Sequence, residues 1–209
     1  MNYNVIDSDG HICEPPDLWE QYIDPRFREG CPKLITLEDG REIFRIEGDV
    51  AIDLGGGKKR VSFGAVGAFG ARDGKVSPSI PYGQGRAGGF DPHARIPDMD
   101  AEGIDAAVLY PSLGLFLGAV ENPECAAAVC RAYNRWLADY CKPYPERLFG
   151  AAMLPMQSIE GAVQEMQYAA KELGFRAGFI RPNPYNGRVL HDPAFNPLWT
   201  EAQEMGFSI

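Results

Sequence analysis

Hydrophobic positions change period several times along this chain, and each change marks an element. Tyr3 to Ser8 alternates weakly around Val5 and Ile6 and then meets Asp9-Gly10, the pattern of a short buried strand ending in a polar loop. Between Cys31 and Leu54 two β-rich runs, 33–37 and 42–46, flank Asp39-Gly40, the turn pair that best supports a hairpin. Residues 55–90 lose all periodicity and are rich in Gly with scattered Ser and Pro, which suits a lid, an interface arm or a loop outside the core. Regular patterning then returns. Pro97 to Glu102 reads as a short helix stopped by Gly103, and Ile104 to Tyr110 as a buried strand ending at Pro111. Asn122-Pro123-Glu124 supplies a cap, a first-turn proline and an acid at the positive end of a helix. Ala126, Val129, Cys130, Tyr133, Trp136, Leu137 and Tyr140 recur at three and four, giving that helix one buried face. Leu148 to Leu154 is the next strand. Ser158 caps a helix carrying Val163, Met166, Ala170 and Leu173, which Gly174 ends, and Ala177 to Ile180 is again apolar. Asp192-Pro193 opens a last helix, with Leu198, Trp199, Ala202 and Met205 inward and Gly206 as its stop, before Phe207-Ser208-Ile209 begins another strand.

Strand alternating with helix implies right-handed crossovers and a parallel sheet. Four strands and the start of a fifth fall short of the eight strands, typically about 250 residues, of a closed (β/α)₈ barrel. The expected fold is therefore α/β of the (β/α)₈ TIM-barrel type, incomplete, holding about the first four to five β/α units. It forms one domain over residues 1–209, truncated at its C-terminus, with an insertion at 31–90 made of the hairpin and the Gly-rich loop. A doubly wound open sheet is the alternative, but no Gly-rich phosphate loop follows the first strand.

Composition narrows the function classes. The 209 residues are 45% hydrophobic and 23% charged, ordinary for a globular chain. A net charge of −9 argues against nucleic acid and anionic membrane, since both need clustered Lys and Arg. Lys58, Lys59 and Arg60 form the one dense basic run and read as a solvated loop. The five cysteines include no C-x-x-C pair, so neither a disulfide framework nor a Cys-type zinc site is indicated, and a reducing cytoplasm fits. No stretch approaches the roughly 20 apolar residues of a membrane span, and no signal segment opens the chain.

Asp9-Gly10-His11-Ile12-Cys13-Glu14 carries the densest candidate chemistry, two carboxylates and an imidazole at a strand's carboxyl end. Residues two apart share a strand face, so Asp9 and His11 can point into one pocket, and Glu14 can curl back over it. Oxygen and nitrogen donors of this kind suit a divalent metal, Zn²⁺ foremost, with Mn²⁺ or Fe²⁺ as alternatives. Arg181, after Phe179-Ile180, stands where a guanidinium can hold a substrate carboxylate, with a structural ion pair as its other reading. His93 lies in the loop ahead of the second strand's helix and is a candidate substrate contact. Asp98 and Asp100 read as capping or salt-bridging groups, His191 as part of a helix entrance, and Trp19, Trp136 and Trp199 as core.

Four blocks in order, V-I-D-S-D-G-H-I-C-E-P-P-D-L-W, D-P-H-A-R-I-P-D-M-D-A-E-G-I-D-A-A-V-L-Y-P-S, G-F-I-R-P-N-P and H-D-P-A-F-N-P-L-W, cover most of the chain outside the Gly-rich stretch. Together they resemble the amidohydrolase-related family that includes aminocarboxymuconate-semialdehyde decarboxylase. The resemblance implies a (β/α)₈ barrel and metal-assisted hydrolysis or non-oxidative decarboxylation of a small carboxylated or cyclic substrate. Many members carry H-x-H at the end of the first strand, whereas this chain has Asp9-Gly10-His11 followed by Glu14. The resemblance also implies a further metal-binding His after the fifth strand and a metal-linked Asp after the eighth, positions beyond Ile209. The expected protein is a metal-dependent hydrolase or carboxy-lyase, its hairpin insertion suited to a homo-oligomer arm. Its rival is a fragment or interaction remnant without catalysis of its own, exposing strand edges.

Overall fold

The computed structural model describes residues 3–53 and 81–209. Within them lie strands β1 (Ile6–His11), β2 (Lys33–Thr36), β3 (Glu42–Glu47), β4 (Val50–Ile52), β5 (Ala106–Tyr110), β6 (Leu148–Met153) and β7 (Ala177–Phe179). The helices are α1 (Leu18–Tyr22), α2 (Ala87–Phe90), α3 (Pro92–Glu102), α4 (Pro123–Cys141), α5 (Ile159–Lys171) and α6 (Asn196–Met205).

β1, β5, β6 and β7 form one parallel sheet in that order. Ser208 adds the start of a further parallel strand, donating to Arg176 O at 3.1 Å and accepting from Gly178 N at 2.8 Å. Each strand thus lies beside its predecessor in the β/α series with no reversal of direction along the sheet. A doubly wound sheet reverses its strand order at a switch point, so this order is that of a barrel wall. The chain holds part of a (β/α)₈-type barrel, as expected.

Local chemistry sets the helix ends. Asn122 Oδ1 accepts from Glu124 N and Cys125 N, Ser158 Oγ accepts from Gly161 N, and Gly103 and Gly206 close α3 and α6 in the left-handed region. One face of the sheet is sealed by helices. Ala107, Leu109 and Ala152 are fully buried with Leu137 of α4, whereas Phe149, on the other face of β6, is 40% exposed. Burial of a leucine such as Leu137 contributes about 2 kcal/mol. A polar clasp adds specificity: Asn134 donates to Met153 O and accepts from Met153 N, and also donates to Glu165, which Arg131 pairs at 2.7 Å. Trp19, Trp136 and Trp199 join the core, while Asp98 pairs with Arg86 and Asp100 with Arg147, as the sequence predicts.

Four expectations change. β1 continues through Asp9 to His11 instead of ending at Ser8. The hairpin gains a third strand, β4, after a turn at Gly48. α3 begins at Pro92, not Pro97, because Asp91 accepts from His93 N and Pro92 occupies the first turn. Residues 81–90 belong to the body of the protein, since Tyr82 is fully buried and its N–H binds the Glu42 carboxylate at 3.0 Å. The rest of the Gly-rich stretch, with Lys58, Lys59 and Arg60, lies outside the described residues. All five cysteines are buried and free. Among the described residues no helix is long and apolar enough to cross a membrane.

Candidate metal and carboxylate site

The carboxyl end of β1 is built around a bulge. Asp7 pairs with Ala107 and Gly10 with Leu109, so three steps along β1 match two along β5. The extra residue leaves the ladder, and Asp7 Oδ1 accepts the Asp9 N–H at 3.1 Å. Gly10 suits the close approach, since a Cβ would meet Arg95 Nη2 and Asp7 Oδ2 at 3.0 Å and the Val108 carbonyl at 3.1 Å, so these neighbours would have to shift. The bulge presents Asp9 and His11 together, with Asp9 Oδ1 3.8 Å from His11 Nε2. Their side chains are 86% and 42% exposed.

His11 is fixed on two sides. Its Nδ1 lies 2.7 Å from the Pro111 carbonyl, and Arg95 Nη1 donates to the His11 carbonyl at 2.9 Å. A carbonyl only accepts, so Nδ1 carries a proton, and in the neutral ring the lone pair is then on Nε2, the nitrogen nearer Asp9. That is the arrangement of a metal-binding histidine whose second nitrogen is held by a backbone carbonyl. Donors on one divalent ion at about 2.1 Å stand roughly 3–3.4 Å apart, so a small rotation of the exposed Asp9 side chain brings the pair into range. Asp9 and His11 fit as two ligands of such an ion.

Glu14 does not join them. It is fully buried, and its carboxylate accepts from the N–H groups of Ser112, Leu113 and Gly114 at 2.9–3.3 Å and from the Tyr82 hydroxyl at 3.3 Å. Burial pushes its carboxyl above the ordinary range, with the amide bonds pulling the other way. Among the described residues no group of three or more His, Cys, Asp and Glu side chains converges as metal ligands. The expectation that Glu14 completes a triad with Asp9 and His11 is corrected on this geometry: its oxygens are engaged by amides.

Arg181 follows β7 on the same end of the sheet. Its Nη1 donates to the Leu115 carbonyl, its backbone N–H donates to Tyr185 Oη at 2.9 Å, and among the described residues it has no carboxylate partner. It lines a cavity of about 220 Å³ with Ile52 of the inserted sheet, Phe116 and Asn183. His93 is engaged elsewhere, its Nδ1 2.9 Å from Tyr144 Oη and its ring packed edge-on against Tyr144. His191 precedes a short turn that Asp192 caps through Ala194 N. Two aromatics escaped the sequence reading: Tyr110, 6.4 Å from the His11 ring, and Phe179, edge-on to Tyr110 at 6.0 Å. Both end strands, so the strand-end rule applied to Arg181 could have found them.

The chain resembles curated decarboxylases over part of its length. It is 29% identical over 120 residues to 2-amino-3-carboxymuconate-6-semialdehyde decarboxylase of Dictyostelium discoideum, covering 57% of this chain and 33% of the relative. It is 29% identical over 116 residues to gamma-resorcylate decarboxylase of Rhizobium radiobacter, covering 53% and 35%. The chain thus spans about a third of the curated relatives it matches. A solved amidohydrolase from Mycobacterium avium subsp. paratuberculosis K-10 superposes on 99% of this chain and 57% of its own, with TM-score 0.73 at 22% identity, a likeness of fold. Dihydroxybenzoic acid decarboxylase from Polaromonas sp. JS666, solved with bound manganese and the inhibitor 2-nitroresorcinol, gives TM-score 0.52 at 27% identity over 57% of this chain and 38% of its own. The amidohydrolase family pattern itself matches residues 6–209, and the chain belongs to that family.

Proposed function

We propose that the carboxyl ends of β1, β5 and β7 form the active site of a metal-dependent enzyme that hydrolyses or non-oxidatively decarboxylates a small, cyclic carboxylate. The observation that carries this reading is the His11 imidazole, with Nδ1 engaged by the Pro111 carbonyl and Nε2 3.8 Å from Asp9 Oδ1. Asp9 and His11 hold the divalent ion. When bound, that ion supplies Lewis acidity, polarising a carbonyl or carboxylate oxygen or lowering the pKa of a water. Asp9 offsets part of its charge and Pro111 keeps the imidazole aimed.

Arg181 orients the substrate, because a guanidinium without a carboxylate partner can take one through two parallel hydrogen bonds. Tyr110 and Phe179 offer an aromatic wall for a planar ring. An aromatic acid of the dihydroxybenzoate kind, named for the Polaromonas relative, fits that combination. His93, held by Tyr144, is left out of it.

The second reading, a chain without turnover of its own, is favoured by the lack of any converging group of three ligands among the described residues. Metal analysis of the purified chain, titration with Mn²⁺ and Zn²⁺, and assay of CO₂ release from dihydroxybenzoic acid separate the two. Stoichiometric metal that Asp9→Ala and His11→Ala each remove, together with turnover, supports the enzyme. No retained metal and no turnover would leave the second reading standing.

A further inference from the structure

Glu14 is an ionisable side chain with no exposure, remote in role from the Asp9–His11 pair, and burying such a group needs a structural return. Its carboxylate gathers the amides of Ser112 at 3.0 Å, Leu113 at 2.9 Å and Gly114 at 2.9 Å. The residue before them is Pro111, whose carbonyl accepts from His11 Nδ1 at 2.7 Å. That carbonyl and the Ser112 N–H belong to one peptide group, and a peptide group is a rigid plane. Glu14 therefore grips one side of the plane whose other side holds the imidazole. Packing removes slack from the assembly: a Cβ on Gly114 would lie 2.6 Å from Pro111 Cβ and 3.1 Å from Glu14 Oε1.

We infer that Glu14 is a positioning residue for His11, acting through the Pro111–Ser112 peptide to fix the imidazole in its Nδ1–H tautomer and to aim Nε2 at the metal position. The consequence for metal rests on the function proposed above; the tautomer does not. The glutamate is the side chain suited to the task, because both of its oxygens only accept. In Glu14→Gln one oxygen becomes an NH₂ group facing donor amides, with almost no change in size.

Nitrogen-15 NMR of the His11 ring in the metal-free chain, above the pH at which the ring is neutral, tests the inference directly. The wild-type chain should hold His11 as Nδ1–H, Glu14→Gln should shift the ring toward Nε2–H, and Glu14→Asp, which keeps the carboxylate on a shorter arm, should recover part of the original state. Leu198→Ala, a buried change in α6, controls for general loss of stability and should leave the tautomer alone. An unchanged Nδ1–H ring in Glu14→Gln, or an equal shift in Leu198→Ala, overturns the positioning role. Mn²⁺ titration forms the second arm, with affinity expected to fall about tenfold in Glu14→Gln, the lower end of outer-shell effects. A wild-type chain that binds no Mn²⁺ would sink the metal reading and leave the NMR result to judge Glu14.

Discussion

Asp9 and Glu14 are two carboxylates on the same short stretch, and the protein treats them in opposite ways. Asp9 is 86% exposed, its Oδ1 3.8 Å from His11 Nε2. Glu14 is sealed from water and enclosed by the amides of residues 112–114 and the Tyr82 hydroxyl. A carboxylate in water keeps its hydration and stays available to a ligand from outside. One taken into the interior loses several kcal/mol of solvation and persists only when fixed donors replace the water. Residue type therefore nominates a metal ligand, and burial with its donors decides whether the group faces outward or holds the scaffold.

The largest expected effect comes from emptying the amide cradle. Glu14→Ala leaves the Ser112, Leu113 and Gly114 N–H groups without an acceptor in a closed site, and should cost about 3–5 kcal/mol. Urea unfolding measures it as a lowered midpoint at unchanged slope. A loss under about 1 kcal/mol would mean that water or a neighbour replaces the carboxylate at little cost, and the contrast with Asp9 would disappear.

Asp9→Ala and His11→Ala should show the converse. Asp9 is largely exposed, whereas His11 is 42% exposed with Nδ1 on the Pro111 carbonyl, so stability should change by no more than about 0.5 kcal/mol for Asp9→Ala and by about 1 kcal/mol for His11→Ala. Metal affinity should fall by more than the roughly tenfold typical of an outer-shell change, because a direct ligand is lost. Calorimetric Mn²⁺ titration beside thermal unfolding reads both quantities, and a large stability loss with intact metal binding would reverse the assignment.

Arg181 stands between these extremes, with one N–H on the Leu115 carbonyl and no carboxylate partner among the described residues. Arg181→Lys keeps the charge but loses the fork, so the apparent affinity for an aromatic carboxylate should weaken about fivefold to tenfold with little change in unfolding midpoint. An unaltered KM would assign Arg181 to the loop alone.

The barrel order was legible because caps, stops and apolar periods agree: Asn122, Ser158, Gly103 and Gly206 end their helices where the pattern says. Pro97 is tolerated inside α3 and does not mark its start, which lies at Asp91-Pro92, the same cap-and-proline signal as Asn122-Pro123. The Asp9–His11 pairing was legible from spacing, but the bulge that presents them was not, because nothing in one strand's sequence fixes its register against another. Glu14 was the clearest miss. Three of its partners lie about a hundred residues away and are backbone amides, which any residue except proline supplies, and the fourth is the Tyr82 hydroxyl from the Gly-rich stretch, so no local side-chain pattern announces them.

Asp105 isolates what full burial adds, since it binds amides as Glu14 does but at the partly exposed surface: its Oδ2 accepts from Asn4 N at 2.7 Å and Val5 N at 2.9 Å. The Val5 and Asn4 amides hold its carboxyl below the ordinary 3.8. A lowered folded-state value means that the contribution to stability is fully present above 3.8 and is lost as pH falls through the lower folded value. Glu14, raised by burial, works in the opposite direction, so the folded state gains from its protonation as pH falls toward 4.5. Asp105→Asn keeps an acceptor oxygen and removes the titration. Its unfolding temperature should therefore drop less than the wild-type chain's between about pH 5 and pH 2, a small but signed difference. If the two proteins lose the same number of degrees over that range, amide bonding alone does not shift the balance in solvent, and the whole contrast between the paired carboxylates would have to come from dehydration.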